Sequence, residues 1–466
     1  MHALEALLAV ISLIWLYALI LARWERGIYW LIAYMPFSGA VSLGLHMWRP
    51  SLLFKDFLFV IPLYIAFFAR VAVKRISLAA FPSSVAFLMA SLALLAIVQV
   101  NNAGVVNTMM GLIGIKVWLF YLPLCLVGYA LADSPECIFT LLRLMVALSF
   151  IPAVIALLQL VLVAHFGYQS AMDMSYGESA AAVTQHFAQF RVATGSFGRI
   201  PSIFTFAAQF FAYSLAMIPP AYILSRTDPS LRWRRTGIAA LATAAVATFI
   251  SGAREAYVFT PLILGLVICL DRGLRGILFA LGGASVVVWI AVTAFVGTTL
   301  GAMYRVVSAL FTHYARSVAY GGLVRALEHA PLGLGTGTNT GAARYAMADP
   351  TVFIGIENYY AKASVELGLP GLLVVVGLFM TVIVGGFKAR RLNASLPYRS
   401  WSNAFLAFAI IIFLNSFKGW LIDLDPLNVY YWLFAGILMR LAVPEHCHSE
   451  SEDITWRFLV SSDTRS

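Results

Sequence analysis

Apolar runs close to the length of a bilayer crossing follow one another through this chain with only short polar stretches between them, and no other feature narrows the possible folds so far. A hydrocarbon core of about 30 Å is crossed by about 20 residues in helical form. Helices must carry these runs, because lipid offers no partner to an open backbone group, and barrel strands would show short alternating segments instead. Composition agrees: of 466 residues, 61% are apolar and 11% charged, which does not describe a soluble domain. The chain reads as an all-α polytopic membrane protein, a single integral membrane domain over residues 1–466.

Segmentation by apolar runs predicts about thirteen spans, within a range of about twelve to fourteen. They cover residues 5–22, 28–45, 52–69, 78–100, 111–132, 138–166, 203–224, 237–250, 256–270, 276–296, 360–387, 401–416 and 429–441. The first run lacks a basic region before it and a small-residue cleavage site after it, so it reads as a retained helix. Trp24, Trp48, Trp401 and Trp420 fall near span ends, as an aromatic belt requires.

Lysine and arginine stay on the cytoplasmic side of short loops. Arg70, Lys74 and Arg75; Arg226, Arg232, Arg234 and Arg235; Arg272 and Arg275; and Lys388, Arg390, Arg391 and Arg399 all land on one side. That side is read as the cytoplasm, together with the polar tail 445–466. The net charge of +10 is spread over these loops without a long basic block, so nucleic acid is not the implied partner. The four cysteines show no CxxC spacing and imply neither a disulfide framework nor a metal site.

The opposite side receives residues 167–202, the long connection 298–359, and the short turn inside SGAREAYVF, residues 251–259. An arginine at mid-bilayer costs about 2.5–3.5 kcal/mol even on the lenient scale, so Arg254 is placed at the outer interface. Arg191, Arg199, Arg305, Arg316, Arg325 and Arg344 share that side against the charge rule. Guanidinium forks match phosphate oxygens two at a time. Lipid headgroups or a bound diphosphate are the two partners that fit them.

The connection 298–359 is far longer than an ordinary loop; it reads as a partly helical loop subdomain, helical over 314–328 and then glycine-rich in HAPLGLGTG. Gly333, Gly335 and Gly337 have neither dinucleotide nor phosphate-loop spacing. They form either a flexible turn or a cradle of backbone N–H groups for an anionic or glycan ligand. Glu357 and Asn358 precede the next apolar helix. The carboxylate is either a helix cap or a general base at the membrane face. Lys362 and Glu366, four residues apart, are expected to pair with each other. Lys116 either snorkels to the outer interface or lines a lipid-diphosphate groove. Asp423 and Asp425 form an outer DxD, read as a solvated turn or, with a diphosphate, a divalent-ion site. His313 and His329 are alternative bases, while His165, His186 and His446 lack ligand spacing.

HAPLGLGTG followed by ENYYAKASVELGLPGL resembles the signature of the O-antigen ligase and Wzy-type polysaccharide polymerase superfamily, a glycine turn followed by a helix start with a downstream ExGxxGL. RVATGSFGRIPSIFTFAAQ, residues 191–209, is similar to that family's arginine-and-glycine turn, and SGAREA to its serine-and-arginine motif between two helices. The likeness spans residues 191–373; before about residue 150 it is hydrophobicity alone.

The resemblance implies a membrane glycosyltransferase with a GT-C-like fold in the bacterial inner (cytoplasmic) membrane, its active site facing the periplasm. The donor would be an undecaprenyl-diphosphate-linked glycan and the acceptor a second glycan, with no cofactor, no metal and no nucleic acid. The family's essential arginines would fall on Arg191 and Arg254, with Arg199 the rival of Arg191. Its histidine falls on Glu357, a departure that favours a polymerase of oligosaccharide repeats over a ligase transferring glycan to lipid A-core. Catalytic expectations are therefore Arg254, Glu357 and Arg191; substrate-binding ones are Arg199, Arg325, Asn358, Gly333, Gly335, Gly337 and Lys116. A chain-length-regulating co-polymerase is a possible partner. A lipid-linked oligosaccharide flippase or transporter is the remaining alternative, though no internal repeat is evident and the unusual charges gather at one face.

Overall fold

The computed structural model describes residues 2–46, 48–178, 189–192, 195–273, 320–341, 358–393 and 397–444. Helices dominate, joined by short 3-10 turns, and the described residues contain one two-stranded antiparallel hairpin, Gln189–Val192 with Gly195–Gly198. Among the described residues, six helical stretches are long and apolar enough to cross a membrane: Pro50–Ala72, Ser83–Asn101, Thr108–Leu131, Pro135–Phe166, Ala207–Thr227 and Tyr359–Leu392. Val10–Ala22 and Leu427–Leu441 are shorter apolar helices. The expected span 276–296 lies outside the described residues, as do most of the long connection and the tail from residue 445.

Proline explains where helices depart from single uninterrupted runs. The run expected as one span over 28–45 is a helix, Trp24–Tyr34, a 3-10 turn, Met35–Phe37, and a second helix, Ser38–Gly44. Pro36 sits in that turn and can donate no backbone hydrogen bond. Likewise Pro123 separates Thr108–Leu119 from Leu124–Leu131.

Burial sorts the helices into centre and rim. Ala207–Thr227 has 89% of its apolar window covered by the rest of the protein, whereas Ser83–Asn101 has 22%. The first is therefore a central pillar and the second a peripheral helix, whose Phe87, Leu94 and Ile97 face outward as lipid-contacting side chains do. Small residues let the pillars approach closely: a Cβ on Gly436 would stand 1.9 Å from the Cys125 carbonyl oxygen, and one on Gly128 would stand 2.2 Å from that of Leu433. Helix Leu427–Leu441 thus packs backbone to backbone on Leu124–Leu131, the arrangement expected where dispersion rather than water drives association.

Loops expected to share a membrane face touch one another. At the cytoplasmic end of the sequence-based topology, Arg143 grips the buried Asp228 with two 2.8 Å bonds, Arg226 reaches Asp271 at 3.5 Å, and Arg440 pairs with Asp133. At the opposite end Lys55 pairs with Asp425 at 2.7 Å, and Gln99 and Asn102 hold the carbonyls of Leu332 and Gly333. No contact just named crosses from one end to the other. The charge asymmetry read from the sequence is therefore laid out as two separate polar ends.

Candidate functional site at the outer end

The segment bearing Arg199 is stapled to the long helix Pro135–Phe166. Ser202 adopts φ 56°, a left-handed conformation uncommon outside glycine. It is held there by the Gln159 amide, which donates to the Ser202 carbonyl and accepts from its N–H, both at 3.0 Å. The Ser202 hydroxyl donates to the Pro152 carbonyl at 2.6 Å, and the Tyr168 hydroxyl donates to that of Arg199 at 2.9 Å. These bonds fix where the Arg199 side chain starts. Its Nε is buried with no hydrogen-bond partner among the described residues. Burial and the neighbouring Arg254 push its guanidinium below the usual range, with Tyr168 opposing.

Residues 251–255 form the turn between helices Leu231–Ile250 and Ala256–Arg272. Ser251 shapes it: its hydroxyl donates to the Thr248 carbonyl at 2.6 Å and accepts from the Ala253 N–H at 3.2 Å, while Gly252 takes φ 65°. Arg254 is half-buried and Glu255 buried. Glu255 forms an ion pair with Lys418, on the short turn after helix Tyr398–Asn415. Burial, then Arg199 and Arg254, push the Lys418 ammonium down to about 7; the Glu255 carboxylate opposes them. Three cations from three distant stretches of sequence thus lie within electrostatic reach of one another.

The same turn anchors the next element. The Tyr359 N–H donates to the Ser416 carbonyl at 3.0 Å, and the Tyr360 and Phe417 rings meet at 4.6 Å. Helix Tyr359–Leu392 therefore begins two residues from the Lys418 position along the facing chain. Asn358 is its cap: the side-chain oxygen accepts from the N–H groups of Tyr360 and Ala361 at 2.9 and 3.2 Å.

The glycine-rich loop is held by a carboxylate of this chain. Gly333, Gly335 and Gly337 have φ of 86°, 112° and 96°, and the loop folds around Glu366. One carboxylate oxygen accepts from Gly337 N–H at 2.9 Å and Trp118 Nε1 at 2.7 Å; the other accepts from Asn339 N–H and the Thr340 hydroxyl, each at 2.8 Å. The anion held by these backbone groups is the protein's own. Gly368, at φ 73°, kinks the helix just beyond and lets Gly333 approach; a Cβ there would sit 2.5 Å from the Leu332 carbonyl carbon.

The Lys362–Glu366 pair expected from spacing does not form. Lys362, fully buried, pairs with Asp423 and lies over the Trp118 ring at 4.5 Å, because Glu366 is consumed by the loop. Asp425 pairs with Lys55, so the DxD carboxylates are divided between two lysines rather than aimed at one point. Among the described residues no group of three or more metal-ligating side chains gathers. Lys116 has a carboxylate partner that spacing did not suggest. It pairs with the buried Asp56 at 2.7 Å, which also accepts from the Tyr121 hydroxyl at 2.6 Å.

The resemblance pairs Arg191 with Arg254 and makes Arg199 the rival; of the two, Arg199 is the one within electrostatic reach of Arg254. Arg191 lies on the hairpin, its Cα paired with that of Ser196. Arg325 is exposed on helix Gly321–His329, and its Nε donates to the Gly321 carbonyl. His329 bonds the Arg325 carbonyl at 2.9 Å. Glu357, His313, Arg305, Arg316 and Arg344 lie outside the described residues. Sequence reading missed Lys418 and Glu255, although Lys418, in FKGW, is a cation on the side that the charge rule disfavours. The chain matches no protein-family model and no curated protein.

Proposed function

We propose that this protein is a membrane glycosyltransferase that joins undecaprenyl-diphosphate-linked oligosaccharide repeats into a surface polysaccharide. The observation that carries the reading is the convergence of Arg199, Arg254 and Lys418 at one end of the helical bundle. One carboxylate, Glu255, stands among these three cations, and a diphosphate fits the cluster by charge and by fork geometry.

In this reading the acceptor hydroxyl oxygen attacks the anomeric carbon of the donor sugar. The bond from that carbon to the diphosphate breaks, its electron pair goes to the departing phosphate oxygen, and the hydroxyl proton goes to the Glu357 carboxylate. Cations fixed in place before the reaction stabilise the growing charge on the leaving group better than mobile water does. Asn358 supports the site by capping the helix that Glu357 precedes. The lysine partners of Asp423 and Asp425 support a metal-independent reaction, and the glutamate at position 357 favours polymerase over ligase.

The test is lengthening of an undecaprenyl-diphosphate-linked repeat by the purified protein in detergent. Stepwise longer products support the proposal. Transfer only to lipid A-core would make the protein a ligase. No product with either acceptor, together with movement of the lipid-linked glycan across vesicles, would make it a transporter.

A further inference from the structure

Lys418 and Glu255 stand in an arrangement that the arginines alone do not explain. A lysine turned toward two guanidinium groups is repelled by both, and Glu255, the residue after Arg254, offsets that repulsion by pairing with it. Of the pair the lysine is the more accessible: 27% of its side chain is exposed, against 8% for Glu255. Arg199 contributes a buried Nε with no hydrogen-bond partner among the described residues, and buried donors in native structures are rarely left unsatisfied. The lysine stem is flexible and carries three rotatable donors. The carboxylate, by contrast, is fixed at the start of helix Ala256–Arg272.

We infer that Glu255 is a resident anion that holds Lys418 in place, and that an incoming diphosphate takes Lys418 from it, making Lys418 the third ligand-gripping cation beside Arg199 and Arg254. The inference rests on the reading of this cluster as a diphosphate site. Its physical content is competition: carboxylate and diphosphate bid for the same ammonium, and the carboxylate also repels the ligand directly. Removing the carboxylate charge therefore strengthens binding, and removing the ammonium weakens it. A purely structural salt bridge gives a different pattern, since breaking it from either side would loosen the turn and weaken binding both times.

Pyrophosphate binding to the full-length protein in detergent, followed by titration calorimetry, separates the cases. Measured at about pH 6, below the titration of Lys418, Glu255→Gln is expected to bind about tenfold tighter and Lys418→Met about tenfold weaker, each on the scale of one charge-assisted contact. Weaker or unchanged binding in Glu255→Gln, with Arg254→Ala binding lost, overturns the hand-over while leaving the site in place. Binding unchanged in Arg254→Ala removes the diphosphate site itself. Should Glu255→Gln fail to give monodisperse protein, Lys418→Met decides, and unchanged affinity in that variant overturns the inference.

Discussion

Trp118 and Glu366, separated by 248 residues in sequence, meet through a 2.7 Å indole-to-carboxylate hydrogen bond closed to solvent. Around that bond the outer end is organised. Glu366 fixes the glycine-rich loop, Trp118 lies beneath Lys362, and Lys362 holds Asp423, which shares a short turn with the Asp425 partner of Lys55. This chain of contacts is scaffold rather than cluster. Its service to the site is to set where helix Tyr359–Leu392 begins relative to the turn bearing Lys418.

Glu366→Gln should loosen the loop. The carboxylate accepts from four donors, and a carboxamide replaces one acceptor with an NH2 group facing N–H groups. A buried donor left without a partner costs about 1–3 kcal/mol. Because Thr340 can rotate its hydroxyl to accept, the loss is expected near one such penalty. Thermal unfolding in detergent should show a lower midpoint for Glu366→Gln than for wild type; an unchanged midpoint would mean the loop is not held by this carboxylate.

Gly337→Ala should be worse tolerated than Gly44→Ala. At φ 96°, a Cβ on residue 337 would stand 2.2 Å from the Met110 carbonyl oxygen, whereas one on residue 44 meets nothing within 4 Å. Backbone must move in the first case and not in the second. Comparing unfolding midpoints of the two variants checks this, with the larger drop expected at residue 337.

How much of this was legible in the residues follows from the kind of force involved. The membrane class and the two polar ends follow from apolar length and charge asymmetry, which depend on local sequence alone. Motif resemblance paired Arg254 with Arg191, whereas the arginine that the fold brings within electrostatic reach of Arg254 is Arg199, and motif order alone does not choose between two arginines eight positions apart. Spacing failed at Lys362 and Glu366, because an i to i+4 pair is a weak preference and a buried carboxylate with four donors outweighs it. Lys418 was overlooked because its partners lie 163 residues away in sequence, and no local pattern announces so distant a contact. The loop glycines were read as a flexible turn or a ligand cradle, since a sequence does not reveal that a glutamate in the following helix already fills the cradle.

Chelation should leave chain lengthening unchanged if the proposed enzyme is assayed. Asp423 and Asp425 are each committed to a lysine, and recruiting both to one cation would break two buried or part-buried pairs. Removing a partner is the more damaging change: Lys362→Met strands the buried Asp423, and breaking such a pair costs about 3–5 kcal/mol. Activity in EDTA equal to that in magnesium, alongside a sharply lowered unfolding midpoint for Lys362→Met, is the expected outcome.

Anion binding should weaken as pH rises through neutrality, and Lys418 should be the cause. Its ammonium ordinarily titrates at 10.5 and in the folded protein at about 7. Below about 7 it is charged and adds to Arg199 and Arg254; above, the fold favours its neutral form and the cluster loses one cation. The unfolded chain retains the proton between about 7 and 10.5, so over that window this group makes stability rise with pH even as anion affinity falls. Sulfate separates the protein's titration from the ligand's, since its own charge is constant there. Wild-type affinity for sulfate should decline between about pH 6 and pH 9 as this lysine titrates, and Lys418→Met should show a flat, weaker profile. A wild-type profile that is flat, or a variant profile that still declines, would assign the pH dependence to another group.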